Sequence, residues 1–414
     1  MYLGPVAVQS YEFGPPAPGL AFAEERGTAD HDAGSEFDLL LDTCAAAIGT
    51  AEGLSRFPPS VNWRTFADIA ERHDVTSLVY SSLHGRRGDV PPPVLEHLRH
   101  SYLHNAQKNL RLTSELIRIL DCLAACGVEA IPYKGPVLAE TLYGNVAIRQ
   151  FSDLDVLIRP RNLRRALEAV SRLGYSPAKV QSGPEEQACI ANGYERAFDG
   201  PFGKNLLEVQ WRIVPRFYSI GLDVEGLFAR SSPFSLGDWR GRTLSSEDLL
   251  LALCVHAAKH AWIRLSWLCD IVRMLQTQKV DHEVVRRRAV KLGVARIMGV
   301  SLWLAHRLLR MPVPESLRGL MEKDAMVAPI GETICPLLLQ PAEFDVESPA
   351  YFRLMLRARE RRMDKLRFIA RLAFTPGAGE WSAIRLPDPL FSLYRVVRIA
   401  RLSSRAISEV FAKS

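Results

Sequence analysis

Seven cysteines are present but no CxxC pair, and no apolar run reaches about 18 residues. The first absence removes the paired-cysteine motifs of zinc ribbons and dithiol redox proteins. An odd cysteine count also fits a disulfide framework poorly, so a reduced, cytoplasmic setting is expected. The second absence argues against a membrane-spanning helix. No basic stretch leads into an apolar one near the start, so no secretory signal is expected. G-x-x-x-x-G-K-[ST], G-x-G-x-x-G, H-E-x-x-H and G-x-S-x-G are all missing. No repeat of roughly 20–50 residues recurs, which removes solenoids and propellers.

A strong basic excess is missing too. Net charge is +6, less than a duplex-binding protein usually carries. The charge is uneven: residues 351–414 hold 14 Lys/Arg against 5 Asp/Glu. That section, with Arg357, Arg359, Arg361 and Arg362, fits either an anionic contact or a solvated helical face packed through Leu354, Leu366 and Phe368. The second reading is preferred, because aromatic interleaving for base stacking is thin. Nucleic acid is therefore not expected as a partner.

What is present is enough apolar residue, 48% of 414, for a sizeable core. Residues 1–36 hold four Pro, five Gly and six acids against one Arg, and read as a disordered tail. Residues 37–126 read as helical. Asn62 is placed to cap one helix, and Leu95, Leu98, Tyr102, Ala106, Leu110, Leu116 and Leu120 form a long helical stripe. Residues 127–215 change texture. Val128–Tyr133 and Phe151–Ile158 read as strands, Gly135–Tyr143 and Arg161–Leu173 as helices. Leu207, Val209, Trp211 and Ile213 alternate with polar residues, the period of a half-buried strand. Residues 216–414 read as mostly helical. The expected class is α+β, a small mixed sheet of four or five strands between helical flanks.

Chemistry concentrates in Tyr133-Lys134-Gly135 and in Phe151-Ser152-Asp153-Leu154-Asp155-Val156-Leu157-Ile158. On a strand Asp153 and Asp155 share a face. Two carboxylates in an apolar strand repel each other and lose hydration, and a divalent cation removes that cost. Mg²⁺ is usually held by one or two carboxylates plus substrate phosphates; Mn²⁺ is a substitute. Glu208 is the candidate third acid, mid-strand between Leu207 and Val209. Three such acids suit two-metal nucleotidyl transfer. Gly135 would let backbone approach phosphate, Lys134 and Arg149 add cations, and Ser152 adds a hydrogen bond.

This arrangement resembles the nucleotidyltransferase superfamily that includes DNA polymerase β and the aminoglycoside nucleotidyltransferases. More narrowly it resembles a bacterial family of uncharacterised nucleotidyltransferases. The lines that carry the likeness are IPYKGPVLAETLYGNVAIRQFSDLDVLI, NLLEVQWRI and HAAKHAWIRLSWLCDIVRML, within residues 60–275, and it also touches LPDPLFSLYRVVRIARL near the C-terminus. The resemblance implies that Asp153 and Asp155 are the metal-binding pair, that Glu208 is the third acid, and that Gly135 opens the phosphate-gripping motif. Pro136 departs from the Gly-Ser of the wider superfamily and offers no N–H.

A second constellation is His256, Lys259, His260, Ile263, Trp267 and Asp270. At 100° per residue these fall on one helical stripe. Lys259 would reach the triphosphate, and His260 or Trp267 the base or ribose; a buried polar network is the competing reading. Cys254 and Cys269 flank the histidines but fall on the far side of the wheel, against zinc. The expected function is Mg²⁺-dependent transfer of a nucleoside monophosphate from an NTP, ATP foremost, to an unknown hydroxyl-bearing acceptor, small molecule, peptide or protein. The alternative is a non-catalytic nucleotide-binding or assembly protein on the same fold.

Overall fold

The computed structural model describes residues 33–52, 57–58, 60–86, 88–179, 183–201, 203–340 and 348–411. Of the expected tail, residues 1–32 lie outside the described residues. Residues 33–36 do not belong to a tail: helix α1 runs Ala33–Ala47. Glu36 explains the earlier start. It sits in the first turn, buried, and its Oε1 accepts from the Asn62 backbone N–H at 2.9 Å.

Helices α2 (Trp63–Arg72) and α3 (Thr76–Leu83) follow, and Asn62 caps α2 by accepting from the Thr65 N–H. Helix α4 (Pro92–Ala125) opens on proline, as that ring's fixed φ favours. Its apolar stripe packs through Leu98, Leu116 and Leu120, but Leu110 is exposed. Two buried polar residues replace apolar ones on the inner face. Asn105 and Asn109 donate to the carbonyls of Ala147, Val146 and Arg149 and so hold the loop before β2.

The central unit is a five-stranded sheet. Strand β1 (Ala130–Pro132) leads to α5 (Pro136–Leu138), which continues as a π-turn over Ala139–Tyr143. Strand β2 (Leu154–Ile158), helix α6 (Leu163–Arg172), β3 (Ser176–Pro177), α7 (Gly183–Asn192), β4 (Glu195–Gly200) and β5 (Gly203–Gln210) complete it. The spatial order is β1-β2-β5-β4-β3, with β2 and β5 parallel and the other neighbours antiparallel. Leu154, Val156, Ile158, Leu207 and Val209 pack toward α4 and α6. The alternate residues, Asp155, Glu208 and Gln210, face the other way.

Two boundaries differ from the sequence reading. Strand β2 starts at Leu154, so Asp153 stands in the loop ahead of it, and β5 ends at Gln210 rather than Ile213. The expected helical region from residue 216 also contains a hairpin. After α8 (Val224–Arg230), β6 (Ser232–Leu236) pairs with β7 (Trp239–Thr243). Gly237-Asp238 is the two-residue turn between them, a hairpin signal in its own right. Leu236 packs into the sheet's core, and Thr243 Oγ1 donates to the Pro132 carbonyl at 2.8 Å.

Helices α9 (Ser246–Lys259), α10 (Leu265–Thr277), α11 (His282–Leu292), α12 (Ala295–Leu309), α13 (Glu315–Glu322) and α14 (Val327–Leu339) join α1–α3 in a second, larger core. Helices α15 (Pro349–Arg357), α16 (Arg362–Phe374), α17 (Ala378–Ala383) and α18 (Tyr394–Phe411) close the chain. Leu354 and Phe368 bury here, whereas Leu366 is exposed. Among the described residues no helix is long and apolar enough to cross a membrane.

Candidate active site

Gly135 makes the turn from β1 into α5 with φ +53°, a left-handed conformation that side chains resist. A Cβ there would stand 3.3 Å from the Asp153 carbonyl oxygen. The glycine therefore lets the β1–α5 turn lie against the loop that carries Asp153. That brings Lys134, Asp153 and Asp155 together, although β1 and β2 are separated by two helical segments.

Parallel pairing of β2 with β5 sets Asp155 directly beside Glu208. On the next strand, Glu195 stands opposite Gln210. The result is a row of carboxylates across three strands, joined by Gln210. Its Nε2 lies 2.7 Å from Asp155 Oδ1, 3.0 Å from Glu208 Oε2 and 3.2 Å from Glu195 Oε2. Tyr133 donates its hydroxyl to Gln210 Oε1 at 2.5 Å and so fixes the amide's orientation. Lys134 Nζ donates to Asp155 Oδ1 at 2.6 Å, and both side chains are buried.

The electrostatics follow from that crowding. The Glu208 carboxyl is pushed up to about 10, first by burial, then by Asp155 and Glu195 and by a hydrogen bond shared with Glu195. Burial, then Asp155, raises Asp153 above the usual carboxylate range, and Lys134 and Arg149 oppose the shift. Burial works against the Lys134 charge, but Asp155, Tyr133, Glu208 and Asp153 together outweigh it and hold the ammonium well above an ordinary lysine. Lys259 is moved the other way, chiefly by burial. Its Nζ donates to Tyr194 Oη at 2.8 Å, at the Glu195 end of the row.

The helical stripe proposed from sequence is broken. Helix α9 stops at Lys259, Ala261 and Trp262 both take φ +54°, and α10 starts at Leu265. The turn is driven by Trp262, which is fully buried and donates its indole N–H to Ser301 Oγ at 2.8 Å. His256, His260 and Trp267 still meet, with ring centroids 4.9–5.4 Å apart. Burial lowers His256 well below the ordinary range and His260 to about 2, so both imidazoles are neutral.

These groups line a cleft of about 270 Å³ that also takes in Lys108, Gly135, Arg149, Ser152, Asp153, Asp155 and Arg264. Arg149 turns its guanidinium to the buried carboxylate of Asp270, at 3.0 Å, and Tyr143 donates to the same carboxylate. Its charge is thus committed to tying the β2 loop to α10. Ser152 is exposed at the rim. Lys108, Glu195 and Gln210 escaped the sequence reading. Gln210 has a signal, being two residues past Glu208 on the same strand face; Lys108 stands beside the inward-facing Asn105 and Asn109; Glu195 has none.

A family described as "Uncharacterised nucleotidyltransferase" matches residues 59–310, more than half of the chain. The chain belongs to that family. The match spans every acid of this nucleotidyltransferase's row and ends before α13. No solved structure and no curated protein matches the chain.

Among the described residues no three His, Cys, Asp or Glu side chains are placed to ligate one ion. The donors nevertheless suit a hard divalent cation held partly by phosphate: they are oxygens only, Asp155 buried and Asp153 and Glu208 half-buried. Asp153 and Asp155 border the cleft, with Glu208 beside Asp155.

Proposed function

We propose that this nucleotidyltransferase moves a nucleoside monophosphate from an NTP, ATP foremost, to a hydroxyl-bearing acceptor and releases pyrophosphate. The observation that carries the proposal is the register pair Asp155–Glu208, with Asp153 beside it at a lysine-lined cleft. The acceptor oxygen bonds the α-phosphorus as the bond from that phosphorus to its bridging oxygen breaks, and pyrophosphate leaves with the electron pair. The hydroxyl proton passes to the Glu208–Glu195 carboxylate pair. Lys134 and Lys108 meet the phosphates as point charges. The neutral imidazoles of His256 and His260 add hydrogen-bonding atoms without further charge. Asp153 and Asp155, with Glu208, would hold Mg²⁺ or Mn²⁺. Once bound, such an ion stabilises phosphate charge and acidifies the attacking hydroxyl.

A nucleotide-binding protein that does no chemistry is the second reading. The Lys134–Asp155 contact favours it, because an ammonium satisfies the carboxylate a cation would otherwise satisfy. Incubation with labelled NTPs, Mg²⁺ or Mn²⁺ and fractionated cell extract separates the two. A labelled product and stoichiometric pyrophosphate are expected. Saturable NTP binding with neither product would leave only the second reading.

A further inference from the structure

A second cavity, of about 520 Å³, opens on the other side of the carboxylate row. Tyr194, Glu195, Lys259 and His260 form its floor, and His260 also lines the first cleft. The two cavities therefore share His260, with Asp153 and Asp155 on the first and Glu195 on the second. Their chemistry differs sharply. The first is small and lined by charged side chains of both signs. The second has walls of Phe217, Phe352, Leu372 and Trp381, and its volume is that of a small-molecule site.

Both arginines in those walls are held on one carboxylate. Glu380, buried, accepts from Arg398 at 2.9 Å, from Arg401 at 2.6 Å and from the Gly377 N–H at 2.9 Å. Arg398 also donates to the Leu372 carbonyl. At the floor, Lys259 donates to Tyr194 and lies over its ring, with Nζ 4.7 Å from the centroid. Among the described residues, the cavity thus shows no cluster of uncommitted cations of the kind a phosphorylated ligand or a nucleic acid requires.

Position assigns the cavity its part. Sheet order places Asp155 on β2, Glu208 on β5 and Glu195 at the head of β4. Lys134 and Gly135 stand at the Asp155 end, the apolar cavity at the Glu195 end. In-line displacement puts the attacking oxygen opposite the leaving phosphate. A molecule in the apolar cavity is on the attacking side. The geometry points to this cavity as the acceptor site, and to an acceptor that is an uncharged molecule with an apolar, ring-bearing body and one hydroxyl directed at Glu195. Phe352, Leu372, Trp381 and Arg398 come from the C-terminal helices, beyond the family match at 59–310, so those helices would set the choice of acceptor. The inference rests on the nucleotidyl-transfer reading above.

The test uses full-length protein with 3-phenylpropan-1-ol and indole-3-ethanol as probes, and glucose 6-phosphate and a short single-stranded oligonucleotide as contrasts. Calorimetric binding of each is measured with and without Mn²⁺ and ATP, alongside pyrophosphate release. Both alcohols are expected to bind and to accept nucleotide with one pyrophosphate each; the contrasts should do neither. Leu372→Trp narrows the cavity and should weaken alcohol binding about ten- to a hundred-fold while Mn²⁺–ATP affinity holds within about twofold. Should that variant melt early without ligand, Leu402→Phe narrows the same cavity from α18. The inference is overturned if the alcohols do not bind, if a contrast molecule is the one modified, or if cavity-narrowing variants weaken ATP as much as alcohol, which would make the cavity a nucleobase site. Alcohol binding blocked by Leu372→Trp, with no ATP binding at all, would instead sink the transfer reading and leave the cavity a binding site for this class.

Discussion

Glu208→Gln probes the charge balance of the ligand-free site. The carboxyl stands near 10 in the folded chain, mainly through burial, against 4.5 for an ordinary glutamate. Between those values the folded protein keeps a proton that the unfolded chain has released. Stability therefore falls as pH rises through that window, by at most about 1.4 kcal/mol per unit. At pH 7 the accumulated penalty is about 3 kcal/mol. Glutamine has nearly the same shape and cannot ionise, so it removes the slope. Urea unfolding of both proteins from about pH 5.5 to 9, without divalent cation, should put the variant only about 1.4 kcal/mol ahead at the acid end. The variant should pull ahead steadily toward the alkaline end. Calorimetry with Mn²⁺ at pH 7, in buffers of different ionisation heat, should show about one proton released by the wild type and none by Glu208→Gln. Parallel stability curves would refute the reasoning, because they would mean that Glu208 is already ionised in the fold.

Three further outcomes are expected. Asp153→Asn combined with Asp155→Asn should abolish Mg²⁺-dependent ATP binding while leaving the fold intact; unchanged ATP affinity by calorimetry would remove these residues from the site. Gly135→Ala forces a side chain into φ +53° against the Asp153 carbonyl, and should cost about 1–2 kcal/mol in denaturant unfolding and lower NTP turnover together. Arg149→Ala leaves the Asp270 carboxylate buried with only Tyr143 as partner, and should cost about 3–5 kcal/mol whether or not nucleotide is present; a variant as stable as wild type but unable to bind ATP would return Arg149 to the phosphates.

Asp155 and Glu208 stood out because strand periodicity records which side chains share a face and polar residues in apolar strands are conspicuous, whereas Asp153 lies in the loop ahead of β2, outside that periodicity. Helical periodicity likewise gave the long helix α4, and it missed α1's first turn only because Glu36 finds its partner at Asn62. Periodicity does not record what stands opposite. Lys134 on Asp155, Glu195 beside Gln210 and Arg149 on Asp270 join residues 15–121 positions apart. Helical phase also assumed that α9 runs on into α10, whereas burial of Trp262 and its bond to Ser301 outweigh two left-handed residues. The apolar cavity is the extreme case. Its floor comes from β4 and α9 and its walls from α15, α16 and α17, so no local stretch of sequence carries its pattern. Sequence by itself determined which polar groups interrupt the apolar strands; tertiary packing decided which of them meet, because that depends on side chains from distant elements competing for one buried space.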